Sequence, residues 1–333
     1  MITVKTVLVL GAGASAPYGF PLGSKLVRDM WGWAGWSTSD NWCKSFLEFL
    51  QIEAVEEITS SGNLVRDMKS LCNELIESRP HSIDEFLERR PDMEVVGRLL
   101  ISICLLLSEQ KSETQLWNDT TDGHWYDYLK AKLINSPERL GQDQLRVITF
   151  NYERSLEYFL YRSLKPYYNY SQTMTDDAYT TALKQFQVLH VYGSLGSLPW
   201  QSATDVVPYG APNYKEILAA TNSIKVLHQG VQDAVQQNFR IAQEWLKWAE
   251  KIVFLGFGFH PDNVDRLALR EILREKEGVI ATCLRLDATS KQRGESCVHH
   301  SSPIRIGHPP VSTLFPDPNA DCYTLLHDHV VLA

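Results

Sequence analysis

The stretch that most constrains the fold is Thr6-Val7-Leu8-Val9-Leu10-Gly11-Ala12-Gly13-Ala14-Ser15-Ala16. A short apolar run rich in β-branched side chains reads as a strand buried on both faces. It gives way at once to glycines and then to a segment able to begin a helix. Gly11 and Gly13 take the first two places of a G-x-G-x-x-G/A loop, and Ala16 takes the small third place. The first glycine permits a tight turn, the second lets the backbone approach a pyrophosphate, and the third lets helix and strand pack closely. A helix starting there would offer free N–H groups and partial positive charge to phosphates. Any tight strand-to-helix turn also favours small residues, so the weight comes from how the later strands end.

Three further apolar runs finish in polar or glycine-rich turns. Leu145–Phe150 ends at Asn151-Tyr152-Glu153, Phe186–Leu189 at His190-Val191-Tyr192-Gly193-Ser194, and Lys251–Leu255 at Gly256-Phe257-Gly258-Phe259-His260-Pro261-Asp262-Asn263. Val279 to Leu286 reads as a fifth strand. Helical spacing separates these runs, as in Leu156, Phe159, Leu160 and Leu164. Alternating strands and helices predict an α/β chain with a Rossmann-like, doubly wound parallel sheet and a helical insertion. The expectation is one domain over residues 1–333, with its core in 1–30 and 145–290. The insertion spans 31–144, and 291–333 is a C-terminal extension without a clear place.

Within the insertion, Trp31-Gly32-Trp33-Ala34-Gly35-Trp36 reads as a loop with aromatic anchors. Phe46, Phe49 and Leu50 follow at helical spacing, then Leu64, Met68, Leu71, Cys72 and Leu75. Ser82 with Glu85 forms a capping box, and Val95 to Leu107 a buried helix. Elsewhere Ser24 is a candidate helix cap, residues 165–184 read as a tyrosine-rich flap, and 195–230 show no dominant period.

Composition narrows the class. Apolar residues make up 44% of the 333 and charged residues 22%, which fits a globular chain with ample core. The formal net charge of −8 argues against an intrinsic nucleic-acid surface. Leu99 to Leu107, the longest apolar run, is too short to span a bilayer, and an opening that runs straight into a strand is not a signal peptide. Six cysteines without a C-x-x-C pair fit a reducing, cytoplasmic setting and no zinc ribbon. Cys297 beside His299 and His300 lacks a fourth ligand, so no metal is expected.

In a parallel sheet of this kind, ligands bind beyond the carboxyl ends of the strands. Gly11, Asn151, His190 and Gly256 each stand at such an end and are expected to meet in one crevice. Two glycine turns imply a dinucleotide or nucleoside diphosphate. Asn151 is suited to ribose hydroxyls or a water, and His190 to general base work near neutral pH. For the acidic residue expected about 20 positions after the loop to hold an NAD ribose, Asp29 is the nearest candidate and a weak match.

In this order, Gly11-Ala12-Gly13-Ala14-Ser15 with Gly19-Phe20-Pro21, Thr149-Phe150-Asn151-Tyr152-Glu153, His190 with Gly193-Ser194, and Gly256-Phe257-Gly258 resemble the sirtuin-like domains of bacteria. Ser82-Ile83-Asp84-Glu85-Phe86-Leu87 and Trp125-Tyr126-Asp127-Tyr128-Leu129 add to the likeness, which covers most of residues 6–270. The resemblance implies an NAD+ hydrolase giving nicotinamide and ADP-ribose, as an effector of anti-phage defence. It implies Asn151 orienting ribose or water and His190 as base. Gly11, Ala12, Gly13 and Ser15 would hold the pyrophosphate, with Gly19 and Pro21 shaping that loop. Tyr192, Gly193 and Ser194 would border the substrate, and Gly256, Phe257, Gly258 and Asp262 would flank the adenosine. Self-association is implied as well, together with an operon-encoded partner such as an ATPase or a nucleic-acid-sensing protein.

Two departures bear on the chemistry. Protein-deacylating sirtuins carry a four-cysteine zinc module and an Asp-Phe-Arg continuation of the first motif. Leu22-Gly23-Ser24 stands there instead, which favours NAD+ cleavage over a deacylase or an ADP-ribosyltransferase. The histidine that usually precedes Gly-Ser is replaced by Tyr192, with His190 two residues earlier. On a strand the two side chains would share a face about 6–7 Å apart. A non-catalytic NAD or ADP-ribose sensor is the alternative.

Overall fold

The computed structural model describes residues 1–32, 64–118, 124–134, 139–169, 174–226, 232–298 and 314–332. Trp33, Trp36, the helix expected around Phe46, Phe49 and Leu50, and His299 and His300 lie outside the described residues.

Five strands, β1 (Thr6–Leu10), β2 (Leu145–Thr149), β3 (Gln187–His190), β4 (Lys251–Leu255) and β5 (Gly278–Ala281), form one parallel sheet in the order β3-β2-β1-β4-β5. This is an α/β protein with the strand order of a Rossmann-like fold. The chain moves from β1 outward through β2 and β3, then returns to the other side of β1 with β4 and β5. The order therefore reverses between β1 and β4. That is where parallel sheets leave a crevice, because the neighbouring connections depart in opposite directions.

Alternation along the strands supplies two cores. Val7, Val9, Ile148, Ile252 and Phe254 pack on one face with the helices Leu64–Ser78, Glu94–Leu116 and Gln232–Trp248. Leu8, Leu10, Val147, Val253 and Leu255 pack on the other with Trp125–Leu133 and Ser155–Asn169. Every residue of β1 is buried, which is why the run is apolar at consecutive rather than alternate positions. At roughly 1.5–3 kcal/mol for each buried Val or Leu, these central strands anchor the domain.

The segment after β1 departs from expectation. It forms two short 3-10 turns, Ala12–Ala14 and Ala16–Tyr18, and Gly19 closes the second in the left-handed region at φ 87°. Pro17 and Gly19 prevent an α-helix from growing out of the loop. The first α-helix is Gly23–Trp31, and its N-cap is Leu22 without a side-chain bond, so Ser24 sits inside it rather than capping it.

Other expectations shift in extent. The apolar helix runs from Glu94 to Leu116. Within 165–184, Asp176–Leu183 is a helix capped by Thr175 rather than part of an irregular flap. Asn213 caps a helix over Tyr214–Ser223 in the stretch with no dominant period. The fifth strand stops at Ala281. The helix Ala288–Val298 crosses the boundary expected at 291 and buries Cys297 in the core. No helix among the described residues is long and apolar enough to cross a membrane.

Candidate functional site

The floor of the crevice is made by two turns locked together. Gly11 donates its N–H to Leu255 O at 3.0 Å, and Gly13 donates to Gly256 O at 3.1 Å, so the β1–β4 ladder continues past the strand ends. A Cβ on Gly11 would lie 2.4 Å from Gly256 O, and one on Gly13 2.8 Å from Gly256 Cα. Gly256, in the left-handed region at φ 57°, donates its N–H to Thr282 Oγ1 at 2.8 Å. Trp125 Nε1 holds Ala14 O at 2.8 Å from below. Gly11 and Gly13 are thus required by the approach of one turn to another. The N–H groups of Gly11, Gly13 and Ala14 all point at protein carbonyls.

Above this floor lies a cavity of about 730 Å³. From the residues expected at the site, its wall takes Gly11, Ala12, Asn151, Tyr192, Phe257, Gly258 and Asp262. Gly13 and Gly256 lie beneath it as the floor packing. Ser15 is buried and donates from Oγ to Ala12 O at 3.5 Å, a tie within the loop. Gly19 and Pro21 shape the chain beyond the loop. Gly193, at φ 75°, packs on Ser223 O, and Ser194 donates to Gly196 O at 3.3 Å.

Asn151 stands at the end of β2 with its amide held firmly. Nδ2 has Gly11 O and Ser15 Oγ at 3.2 Å each and Glu153 Oε1 at 3.3 Å. Oδ1 has no hydrogen-bond partner among the described residues, and Asn151 lines the cavity. Burial pushes the Glu153 carboxyl up, while the Ser155 N–H donated to its Oε2 at 2.6 Å opposes that shift. Behind Asn151, Arg154 and Glu109 form a fully buried bidentate pair, Nε to Oε1 at 3.1 Å and Nη2 to Oε2 at 2.7 Å. Arg154 Nη1 also reaches Val207 O at 2.6 Å, and Gly210 donates its N–H to Glu109 Oε2 at 3.1 Å. The pair has its hydrogen-bonding needs met, as a buried ion pair must.

His190 does not line the cavity. Nδ1 lies 2.8 Å from Asn151 O and Nε2 lies 2.7 Å from Glu157 Oε1, so both ring nitrogens are engaged. Burial works against the charged ring, yet the Glu157 carboxylate and the Asn151 carbonyl outweigh it and raise the His190 pKa. The face-sharing expected of His190 and Tyr192 fails because β3 ends at His190. Gly193 donates its N–H to His190 O at 3.2 Å, closing a turn that swings Tyr192 to the opposite core. Tyr192 does border the cavity. Its hydroxyl donates to Asn263 Oδ1 at 2.8 Å and accepts from Arg266 Nη1 at 3.0 Å. Arg266 in turn donates from Nη2 to Glu88 Oε1 at 2.9 Å.

Two walls were not assigned to the site by the motif-based reading. The helix Ile83–Arg89 brings Asp84, Glu85 and Glu88 to the cavity, with His81 just before it. Tyr152 donates its hydroxyl to Asp84, whose carboxyl is raised by burial. The first turns of Ala288–Val298 bring Thr289, Ser290 and Arg293, preceded by Asp287. Ser82 accepts the Glu85 N–H at 3.2 Å as the capping signal implies. A capping box states where a helix begins, however, not which cleft it faces. No group of three or more His, Cys, Asp or Glu side chains able to hold a metal ion occurs among the described residues.

The fold and site therefore define an α/β protein with a closed glycine floor and an acidic, Asn-bearing crevice at the β1/β4 reversal. No family model matches the chain, and no curated protein matches it significantly.

Proposed function

We propose that this chain binds NAD+ in the cavity above the β1/β4 reversal and hydrolyses its nicotinamide–ribose bond. Water is consumed, and nicotinamide, ADP-ribose and a proton are released. The observation that carries the reading is the convergence of Gly11, Asn151, Phe257 and Gly258 on one cavity of about 730 Å³. That volume lies within the range of roughly 300–1,000 Å³ typical of cofactor sites.

The chemistry asks little of the protein beyond position and charge. As the bond lengthens, the pyridinium leaves as neutral nicotinamide and positive charge moves to the ribose, as in other glycoside cleavages. Asn151 Oδ1, fixed by the three acceptors around its Nδ2, takes a ribose hydroxyl or the attacking water. Carboxylates on the Ile83–Arg89 wall favour the developing cation. Asp84, raised by burial, is the wall group suited to accept the proton of that water. His190 serves by holding the Asn151 backbone.

The resemblance to bacterial sirtuin-like domains extends the proposal to an NAD-depleting effector of anti-phage defence. Such an effector would be cytoplasmic and self-associating, and would be restrained by an operon-encoded partner. Coverage of both sheet faces supports the finer, doubly wound arrangement. One observation favours a second reading, a non-catalytic NAD or ADP-ribose sensor: His190 leaves no ring nitrogen for a substrate.

Nicotinamide release from NAD+ separates the two. The hydrolase reading expects turnover by wild type that Asn151→Ala abolishes and Tyr192→Phe reduces. NAD+ binding without turnover, with the genomic neighbours present as well as absent, leaves the sensor.

A further inference from the structure

The charged lining of the cavity is predominantly acidic. Asp84, Glu85, Glu88, Asp262 and Asp287 all border it, against two guanidinium groups, Arg266 and Arg293. An anionic ligand entering such a space needs a cation that is not already spent. Arg266 is spent on Glu88 and on the Tyr192 hydroxyl. Three N–H groups of the glycine loop are spent too, since Gly11, Gly13 and Ala14 donate theirs to protein carbonyls.

Arg293 differs. Its described bond is a single donation from Nη1 to Phe259 O at 2.7 Å, and no carboxylate partner is described for it. That bond fixes the guanidinium beside the β4 turn, close to where Phe257 and Gly258 line the cavity. Four of the five N–H donors of the planar fork are left for a ligand, in the arrangement that grips phosphate oxygens two at a time.

The geometry points to Arg293, rather than the glycine loop, as the residue that binds the pyrophosphate of the dinucleotide. This inference rests on the NAD+ reading and deepens it by giving the ligand a direction. The pyrophosphate lies against Ala288–Val298, and the cationic nicotinamide ring points to the carboxylates of Ile83–Arg89. The cavity is thereby polarised to match NAD+, which carries its negative charge in the middle and its positive charge at one end.

The test compares ADP-ribose with adenosine, which lacks phosphate, by calorimetric titration of wild type, Arg293→Ala and Arg293→Lys. Removing a charge-assisted phosphate contact is expected to weaken ADP-ribose by about 10- to 100-fold. Adenosine should stay within about twofold, and Arg293→Lys should fall between, keeping the charge without the fork. Equal loss for both ligands overturns the inference, because Arg293 is then only a prop for Phe259. Unchanged ADP-ribose affinity in Arg293→Ala overturns it directly. Should Arg293→Ala not fold, Arg293→Lys carries the comparison, and ADP-ribose affinity equal to wild type counts against a bidentate phosphate contact. If wild type binds neither NAD+ nor ADP-ribose, the parent reading is the one that falls, and that outcome is visible before any variant is made.

Discussion

Gly256 and Gly258 stand two residues apart in the same turn, yet alanine at each should have opposite consequences. At Gly256 a Cβ would lie 2.1 Å from Ala14 N, 2.3 Å from Gly13 C and 2.5 Å from Gly13 Cα, all of them backbone atoms. The backbone there is also left-handed, at φ 57°. Left-handed conformation costs a non-glycine residue about 1–2 kcal/mol, and overpacking a tight contact adds roughly 1–3 kcal/mol. Gly256→Ala should therefore lose about 2–5 kcal/mol, a large share of the roughly 5–15 kcal/mol that holds a domain together. At Gly258 nothing lies within 4 Å of an added Cβ, and the position borders the cavity. Gly258→Ala should unfold within about 0.5 kcal/mol of wild type while placing a methyl group in the cavity proposed to bind NAD+. Urea unfolding of both variants, followed by far-ultraviolet circular dichroism, reads the first effect as a shift in midpoint at constant slope. NAD+ titration of Gly258→Ala reads the second as weakened binding to a stable protein. Equal stability of Gly256→Ala and wild type would refute the claim that the floor glycines are set by turn-on-turn packing. A destabilised Gly258→Ala would refute the claim of open space beside it.

Other outcomes follow from the same interactions. Glu109→Gln leaves the Arg154 charge buried without its carboxylate and should lower stability by about 3–5 kcal/mol in denaturant titration; a change under about 1 kcal/mol would show the pair to be dispensable. The raised His190 pKa gives a stabilisation that is complete below about pH 6.5 and lost as pH rises through the folded-state value. The stability gap between wild type and His190→Gln, measured by urea unfolding from acid to alkaline pH, should accordingly narrow as the solution becomes more alkaline. A gap that widened would reverse the assignment. Tyr192→Phe removes the hydroxyl between Asn263 and Arg266 and should cost about 0.5–1.5 kcal/mol, visible as a small drop in the thermal midpoint.

The strands were legible because burial on both faces leaves a mark in consecutive residues: β1, β2 and β4 are apolar runs that no amphipathic helix would carry. Their ends were legible for the same reason, since Asn151 and Gly256 interrupt those runs abruptly. What happens one residue further was not. Whether His190 and Tyr192 share a face depends on whether β3 continues, and the turn to Gly193 is a tertiary matter settled partly by Ser223 and Ile224. Likewise the glycines of the first loop carry the same letters whether they approach a phosphate or another turn. The partner that decides it, Gly256, is remote in the chain. Asp84 stands inside the Ser82–Leu87 motif, which reads as a helix start and not as part of the site, and Arg293 lies on a helix of ordinary composition. Only packing turns those faces toward one cavity. Arg154 and Glu109 are 45 positions apart, with nothing local to announce that either is buried.

The interlocking of Gly11 and Gly13 with Gly256 divides the site by its tolerance of change. Its base is cut from the same hydrogen-bonded fabric as the central strands, so a lineage that alters it forfeits the fold along with the ligand. Its walls hang on peripheral helices whose loss of a single carboxylate or guanidinium leaves the sheet untouched. Selection acting on such a chain can therefore redirect what the crevice accepts through wall residues alone.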